Sequence, residues 1–89
     1  MIILDGRRMT TREEAHAHIR EMLSLPEYYG GNLDALWDMA STARADVCLT
    51  HAGAMLNALQ KYGCKLLSTL YDGAEENPEF TFCVEDEAE

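Results

Sequence analysis

Residues 25–38 read Leu-Pro-Glu-Tyr-Tyr-Gly-Gly-Asn-Leu-Asp-Ala-Leu-Trp-Asp and contain a loop followed by the start of a helix. Pro26 ends the helical segment before it, because the residue that precedes a proline is pushed out of the helical region. Asn32 favours a new helix, since its side-chain oxygen can accept a hydrogen bond from an N–H group of the first turn. We therefore predict a loop after residue 25 and a short helix from Leu33 to about Thr42.

The predicted helix has an apolar face and an acidic face. Two carboxylates one turn apart repel each other, and a cationic partner between them would turn that repulsion into attraction. The acidic face therefore predicts a surface that binds cations, although a solvated face and a favourable helix dipole would also explain the aspartates. The residues expected to face the core are Leu33, Leu36, Trp37 and Ala40, and the polar stripe consists of Asp34, Asp38 and Ser41.

On both sides of this segment, short apolar runs alternate with segments whose apolar residues have helical spacing. A chain that alternates in this way is typical of the α/β class, in which right-handed crossovers build a parallel sheet with helices packed on it. Strands are predicted at residues 1–4, 47–49 and 80–84; helices are predicted after Thr11, at Leu33–Thr42, from Met55 to a stop at Gly63, and from Leu66 to a break at Asn77-Pro78.

The chain has 89 residues, of which 47% are apolar, and a formal net charge of −9. The length and the apolar share predict one domain over residues 1–89, and we expect the acidic residues 85–89 to fray. Residues 26–89 contain three basic and twelve acidic residues, which accounts for the whole negative charge. This excess argues against binding to nucleic acid or to an anionic membrane. It is compatible with a cationic partner, but a contribution to solubility is the plainer explanation of the charge alone.

The N-terminal residues and the cysteines indicate location and cofactors. Neither a basic leader with an apolar core nor a membrane-length apolar run is present, so we expect a cytoplasmic protein. Three cysteines, Cys48, Cys64 and Cys83, predict reduced, buried thiols rather than a disulfide framework. His16 and His18 would point in different directions on a helix and are expected at the surface. No metal site and no cofactor are expected.

Leu25 through Asp38 resembles the signature of the barstar-like family, intracellular inhibitors of the secreted bacterial ribonuclease barnase. The Tyr-Tyr-Gly-x-Asn-Leu-Asp-x-Leu-Trp-Asp pattern is nearly unbroken, and the order of elements agrees along the chain. The resemblance implies an α/β fold with a small three-stranded parallel sheet and four helices packed around it. It also implies a monomeric inhibitor without catalytic activity, whose residues 28–43 block the cationic cleft of a basic, secreted ribonuclease.

The resemblance also implies a role for individual residues. Asp38 matches the carboxylate that takes the place of an RNA phosphate, and Asp34 matches a neighbouring acid that pairs with enzyme cations. Tyr28 matches the tyrosine that packs on the catalytic histidine, and Trp37 matches a tryptophan that belongs to the inhibitor's own packing. The loop and helix-start contacts are matched by Gly30, Asn32 and Leu33.

A few positions limit this transfer. Ala43 stands where the family has a second tryptophan, so an aromatic rim contact is missing, whereas Ser41 replaces a threonine and keeps the hydroxyl group. The family has a further acidic contact residue on a later helix. Asp72 is the best match to it, and Glu75 is the second choice. These differences leave the identity of the ribonuclease open.

Two other functions remain compatible with the sequence. The first is an acidic immunity or adaptor module that binds a different nuclease or another basic protein. The second is a carboxylate-based, metal-dependent hydrolase that uses Asp34 and Asp38. No third ligand, glycine-rich phosphate loop or nucleophile–histidine motif accompanies these two aspartates.

Overall fold

Three parallel strands form one sheet in this computed structural model, which describes residues 1–85. The strands are Ile2–Asp5 (β1), Ala45–Thr50 (β2) and Phe80–Glu85 (β3), and β2 lies in the centre. The helices are Arg12–Met22 (α1), Leu33–Thr42 (α2), Ala52–Leu59 (α3) and Lys61–Glu76 (α4), and a short 3-10 turn covers Gly6–Arg8. The expected α/β fold, with a small three-stranded parallel sheet and four helices, is confirmed.

The register of the sheet separates its two faces. Leu49 in the central strand pairs with Leu4 of β1 and with Val84 of β3, and this row faces the core. Because successive side chains along a strand point to opposite faces, the neighbouring row faces away from the core. That row consists of Ile3, Cys48 and Cys83.

The core is built from the sheet face and one side of each helix. These side chains are almost completely withdrawn from water, and burial of apolar surface at about 25 cal/mol per Å² is the main stabilising contribution. The fully buried large side chains of the core are Phe80, Leu4, Met9, Ile19, Leu36, Leu49, Met55, Leu66, Leu70 and Val47, and Cys48 is also fully buried, on the other face of the sheet.

The boundaries of the helices differ from the sequence predictions at two places. The first helix ends at Met22, before Pro26, because Ser24 adopts a left-handed conformation with φ of 54°. Gly63 lies inside α4 and does not end a helix; the break is at Gln60, where φ is 58°. Gly63 is needed for close packing, since a Cβ there would lie 3.2 Å from Leu56 and 3.3 Å from Leu59.

Several smaller predictions can also be compared with the structure. Thr11 caps α1 by accepting a hydrogen bond from the Glu14 N–H at 3.0 Å, and the helix begins after Thr11, where the sequence predicts it. The expectation of buried cysteines is right for Cys48 but wrong for Cys64 and Cys83, which are exposed. Strand β3 includes Glu85, one residue of the tail expected to fray, and residues 86–89 lie outside the described part. No helix within residues 1–85 has the length and apolar character needed to cross a membrane.

Candidate functional site

A buried histidine holds the loop between α1 and α2 in place. The two ring nitrogens of His16 lie 2.8 Å from the Tyr29 hydroxyl and 2.7 Å from the Tyr62 hydroxyl. His16 is only 4% exposed, so the expectation that it lies at the surface is wrong. A neutral imidazole has one donor and one acceptor nitrogen, and two tyrosine hydroxyls can satisfy both. The loop is therefore fastened to α1 and α4 through Tyr29.

Burial also sets the protonation state of this network. Removal from water lowers the pKa of His16 below its ordinary value of 6.5 and raises the pKa of both Tyr29 and Tyr62. His18, which was also expected at the surface, is buried as well and accepts a hydrogen bond from the Asp5 N–H at 3.0 Å. Burial lowers the pKa of His18 too.

We expect the fold to lose stability as the pH falls below about 6.5, because the unfolded chain takes up protons at a higher pH than the two buried histidines. The stabilising contribution is complete above the unfolded value of 6.5 and is lost as the pH falls through the lower folded-state pKa. Urea unfolding at a series of pH values measures this effect. His16→Gln and His18→Gln should each flatten the profile. An unfolding free energy that is constant or rises toward acid would contradict the prediction.

The loop presents Tyr28 to solvent beside the anchored Tyr29. Tyr28 is 88% exposed, whereas Tyr29 is partly buried against His16. Gly31 has a φ of +67°, a conformation that favours glycine, so this position fixes the path of the loop. Gly30, the predicted contact residue, lies close to α2, because a Cβ there would be 3.3 Å from the Ala35 Cβ.

Helix α2 begins where the sequence predicts. The Asn32 side-chain oxygen accepts a hydrogen bond from the Ala35 N–H at 2.8 Å, which confirms the N-cap. Asp34 follows in the first turn and Asp38 one turn later, and both are exposed. Neither carboxylate has a hydrogen bond or an ion pair with any other group in residues 1–85. The two charges are therefore free to meet a partner.

The apolar face of α2 is rotated from the predicted one. Leu36 and Ala40 are fully buried and Met39 is 8% exposed, whereas Trp37 is 37% exposed and Leu33 is partly buried. The prediction that Trp37 faces the core is therefore wrong in part. Met39 follows Leu36 by three residues and therefore shares its helical face. The apolar pattern that includes Met39 overlaps the pattern that includes Trp37, so the spacing fits both. Trp37 consequently presents part of its ring next to the acidic stripe.

The C-terminal half of α2 is fixed by α4. A Cβ built on Gly73 would overlap the Ala40 Cβ and lie 3.1 Å from the Ala40 carbonyl carbon, so the two backbones are in close contact. Asn77 donates hydrogen bonds to the carbonyl oxygens of Ala40 and Ala43, at 3.2 and 2.7 Å. Asp72 precedes Gly73 and is exposed, which places it on the helix that packs against this half of α2.

Ser41 is less free than the sequence indicates. Its hydroxyl donates a hydrogen bond to the Asp38 carbonyl at 3.3 Å, and the Thr42 hydroxyl donates to the same oxygen at 2.6 Å. Ser41 is partly buried. A contact of Ser41 with a partner stays a prediction, and its oxygen is available only as an acceptor in this conformation.

Two grooves flank the start of α2. The first, of about 350 Å³, lies between the loop and the helix and is lined by Pro26, Tyr28, Tyr29, Gly30, Ala35, Asp38, Met39 and Thr42. The second, of about 480 Å³, is lined by Arg12, Glu13, Gly31, Asn32, Leu33, Asp34 and Tyr62. The predicted loop and helix-start residues therefore divide between the two grooves, and each groove contains one of the two free aspartates, whereas Ser41 and Asp72 line neither groove.

Arg12 and Tyr62 belong to this surface and were not predicted from the sequence. The Arg12 guanidinium carbon lies 4.3 Å from the centre of the Tyr62 ring, a cation–π distance. Arg12 and Tyr62 are fifty residues apart in the chain, and no spacing rule connects them. Only the packing of α1 against α4 beside the loop reveals the contact.

Aromatic rings and carboxylates are the distinctive chemical groups of this surface. Within the described residues, no group of three or more His, Cys, Asp or Glu side chains is placed to hold a metal ion. The surface instead combines exposed aromatic rings with unpaired carboxylates on a fixed helix, a combination that suits a protein partner with cationic groups.

Comparisons with known proteins agree with this interpretation. A family model described as "Barstar (barnase inhibitor)" matches residues 1–87. YrdF of Bacillus subtilis (strain 168), which is named as a candidate ribonuclease inhibitor, is 47% identical over 49 residues. The alignment covers 55% of this chain and 53% of YrdF, so the chain matches about half of the length of that relative.

Proposed function

Because the chain belongs to the barstar family, we propose that it inhibits a ribonuclease by filling the RNA-binding cleft with residues 28–43. One observation carries the proposal. Asp34 and Asp38 lie one turn apart without partners in the described chain, beside Tyr28, which is 88% exposed. The family consists of inhibitors and not of enzymes, and the expected absence of catalytic activity agrees with it.

The electrostatics explain why such a surface suits a ribonuclease. An enzyme that binds RNA must line its cleft with cations, because its substrate is a polyanion. Carboxylates on α2 imitate that polyanion, and an arginine guanidinium can bind a carboxylate through two parallel hydrogen bonds as it binds a phosphate. The net charge of −9 attracts a basic partner over a longer range and accelerates the encounter.

Each predicted contact residue has a defined place in this mechanism. Asp38 takes the position of a substrate phosphate, and Asp34 pairs with cations toward the start of α2. Tyr28 packs its ring on the catalytic imidazole of the enzyme. Gly30, Asn32 and Leu33 supply the loop and helix-start contacts, while Ser41 and Asp72 contact the far rim of the cleft.

Ala43 supports a second candidate function. Its small side chain packs against the core at the end of α2, so no aromatic ring projects from this position. An interface without that ring fits a cleft with a different rim. The second candidate is therefore an immunity or adaptor module that uses the same acidic surface against a different nuclease or basic protein.

Cleavage of RNA by barnase, measured with and without the purified chain, tests the proposed function. We expect inhibition that is complete at one inhibitor per enzyme. Calorimetry with magnesium, manganese and calcium serves as the control for the hydrolase alternative, and no specific heat of binding is expected. Full enzyme activity at excess inhibitor would exclude barnase as the target and favour the second candidate, which co-purification with other nucleases then tests.

Tyr28→Ala should weaken ribonuclease binding by at least about 2 kcal/mol, roughly thirty-fold in Kd, because exposed aromatic anchors concentrate binding energy. Its unfolding free energy should not change, since the side chain is 88% exposed and contributes little to the core. Titration calorimetry and urea unfolding measure the two effects. Tyr71→Ala, which removes a 47% exposed tyrosine on α4, is the matched control and should not weaken binding. Equal affinities of the parent and Tyr28→Ala would contradict the role of Tyr28.

A further inference from the structure

Two cysteines lie opposite each other on the face of the sheet that points away from the core. Cys48 of β2 pairs in register with Cys83 of β3, and side chains of paired residues project from the same face. Neighbouring strands are about 4.8 Å apart, which lies within the roughly 4.4–6.8 Å Cα separation that a disulfide can span. We propose that Cys48 and Cys83 form an oxidative modification site, at which a small-molecule disulfide converts the two thiols into a cross-strand disulfide.

The two thiols differ in access. Cys83 is exposed at the sheet edge, whereas Cys48 is 1% exposed in the central strand. Burial, together with the neighbouring Cys83 and Glu85, raises the pKa of the Cys48 thiol to about 12. Cys48 therefore stays a protonated thiol that bulky reagents do not reach. Cys83 is the group that an oxidant in solution meets first.

The reaction takes two exchange steps. The Cys83 thiolate attacks one sulfur of glutathione disulfide, which forms a mixed disulfide at Cys83 and releases one glutathione thiolate. The Cys48 sulfur then attacks the Cys83 sulfur, the second glutathione leaves as a thiolate, and the protein disulfide forms. The Cys48 proton passes to Glu85, whose Oε1 already accepts the Sγ–H hydrogen bond at 3.8 Å. In total, two protein thiols are oxidised and one glutathione disulfide is reduced to two thiols.

The third cysteine provides the control. Cys64 is exposed on α4, outside the sheet, and therefore has no cysteine paired with it in the strand register. Oxidation at Cys64 can therefore give only a mixed disulfide or a link to a second chain. Replacing Cys64 with serine removes this reaction and leaves the proposed pair intact.

Incubation of the Cys64→Ser full-length chain with glutathione disulfide tests the proposal. We expect the mass to fall by about two units, with both thiols lost on titration in denaturant and no dimer on a non-reducing gel. Cys48→Ser in the same background should stop at a stable glutathione adduct on Cys83. The same adduct in the Cys64→Ser chain, retention of both thiols, or loss of thiols only through dimers would overturn the proposal.

Glu85→Gln provides a second test. The rate of the second exchange step would not change if Glu85 had a purely structural role. Removal of the proton acceptor should slow the second step and leave the first unchanged, so the mixed disulfide should accumulate before the protein disulfide forms. Mass spectrometry of samples quenched with acid follows both species. Unchanged kinetics in Glu85→Gln would remove Glu85 from the reaction. The site does not depend on ribonuclease binding, so it can be tested without the enzyme.

Discussion

Asp38→Ala will weaken binding to the ribonuclease by about 3–5 kcal/mol, which is on the order of a hundred- to several-thousand-fold in Kd. The variant leaves the enzyme's cations desolvated in the complex without a carboxylate to bind them. Leaving a buried charge without its partner is among the largest effects that a single substitution has. The fold should not change, since Asp38 is exposed and, within residues 1–85, only its main-chain carbonyl accepts hydrogen bonds.

Stopped-flow association and dissociation kinetics at two salt concentrations give Kd as the ratio of the two rates, and they separate direct contact from electrostatic steering. Glu21→Ala is the matched control, because it removes the same charge from an exposed site on α1. The control should lower the association rate slightly and leave the dissociation rate unchanged. If Asp38→Ala and Glu21→Ala bound equally well, the role of Asp38 as a phosphate mimic would have to be abandoned.

Gly73→Ala will destabilise the fold by about 1–3 kcal/mol, because the added methyl group overpacks the contact between α4 and α2. A Cβ at this position overlaps the Ala40 Cβ and approaches the Ala40 backbone, so a rotamer change cannot relieve the clash. Domains of this size are stabilised by only about 5–15 kcal/mol, and the loss is therefore a large share. Displacement of α2 should also weaken ribonuclease binding.

Urea unfolding of Gly73→Ala and of Gly53→Ala compares a crowded helical glycine with an open one. No atom lies within 4 Å of a Cβ built on Gly53 of α3, so alanine there should be neutral or should stabilise by up to about 1 kcal/mol. Opposite signs for the two variants would confirm that the contact, rather than helix propensity, decides the result. Stabilisation by Gly73→Ala would show that α2 and α4 can separate freely.

The order of the elements could be predicted because local patterns determine it. The Asn32 cap, the limits of α2 and the strand at Val47-Cys48-Leu49 depend on neighbouring residues, and the structure agrees with them. The role of Gly63 could not be predicted, because a glycine that ends a helix and one that allows close helix packing look the same in sequence. The orientation of Trp37 could not be predicted either, because its spacing fits two overlapping faces of the helix.

The part of the candidate site on α2 could be predicted from the sequence, whereas the contacts that hold the preceding loop in place could not. Asp34 and Asp38 are visible as a stripe because they belong to one helix. His16 is expected at the surface from the sequence, because His18, two residues away, points in a different direction on a helix. The partners of His16 are Tyr29 and Tyr62, which are thirteen and forty-six residues away. Contacts of that separation arise from tertiary packing, and a single sequence gives no direct sign of them.

Asparagine side chains hold α2 at both of its ends. Asn32 accepts a hydrogen bond at the first turn, and Asn77 donates two to the carbonyl groups at the last. Helix α2 therefore enters the complex preorganised, and association has no cost of helix formation to overcome. Binding should resemble the docking of rigid bodies, with a heat-capacity change that reflects the buried interface alone and shows no added contribution from coupled folding.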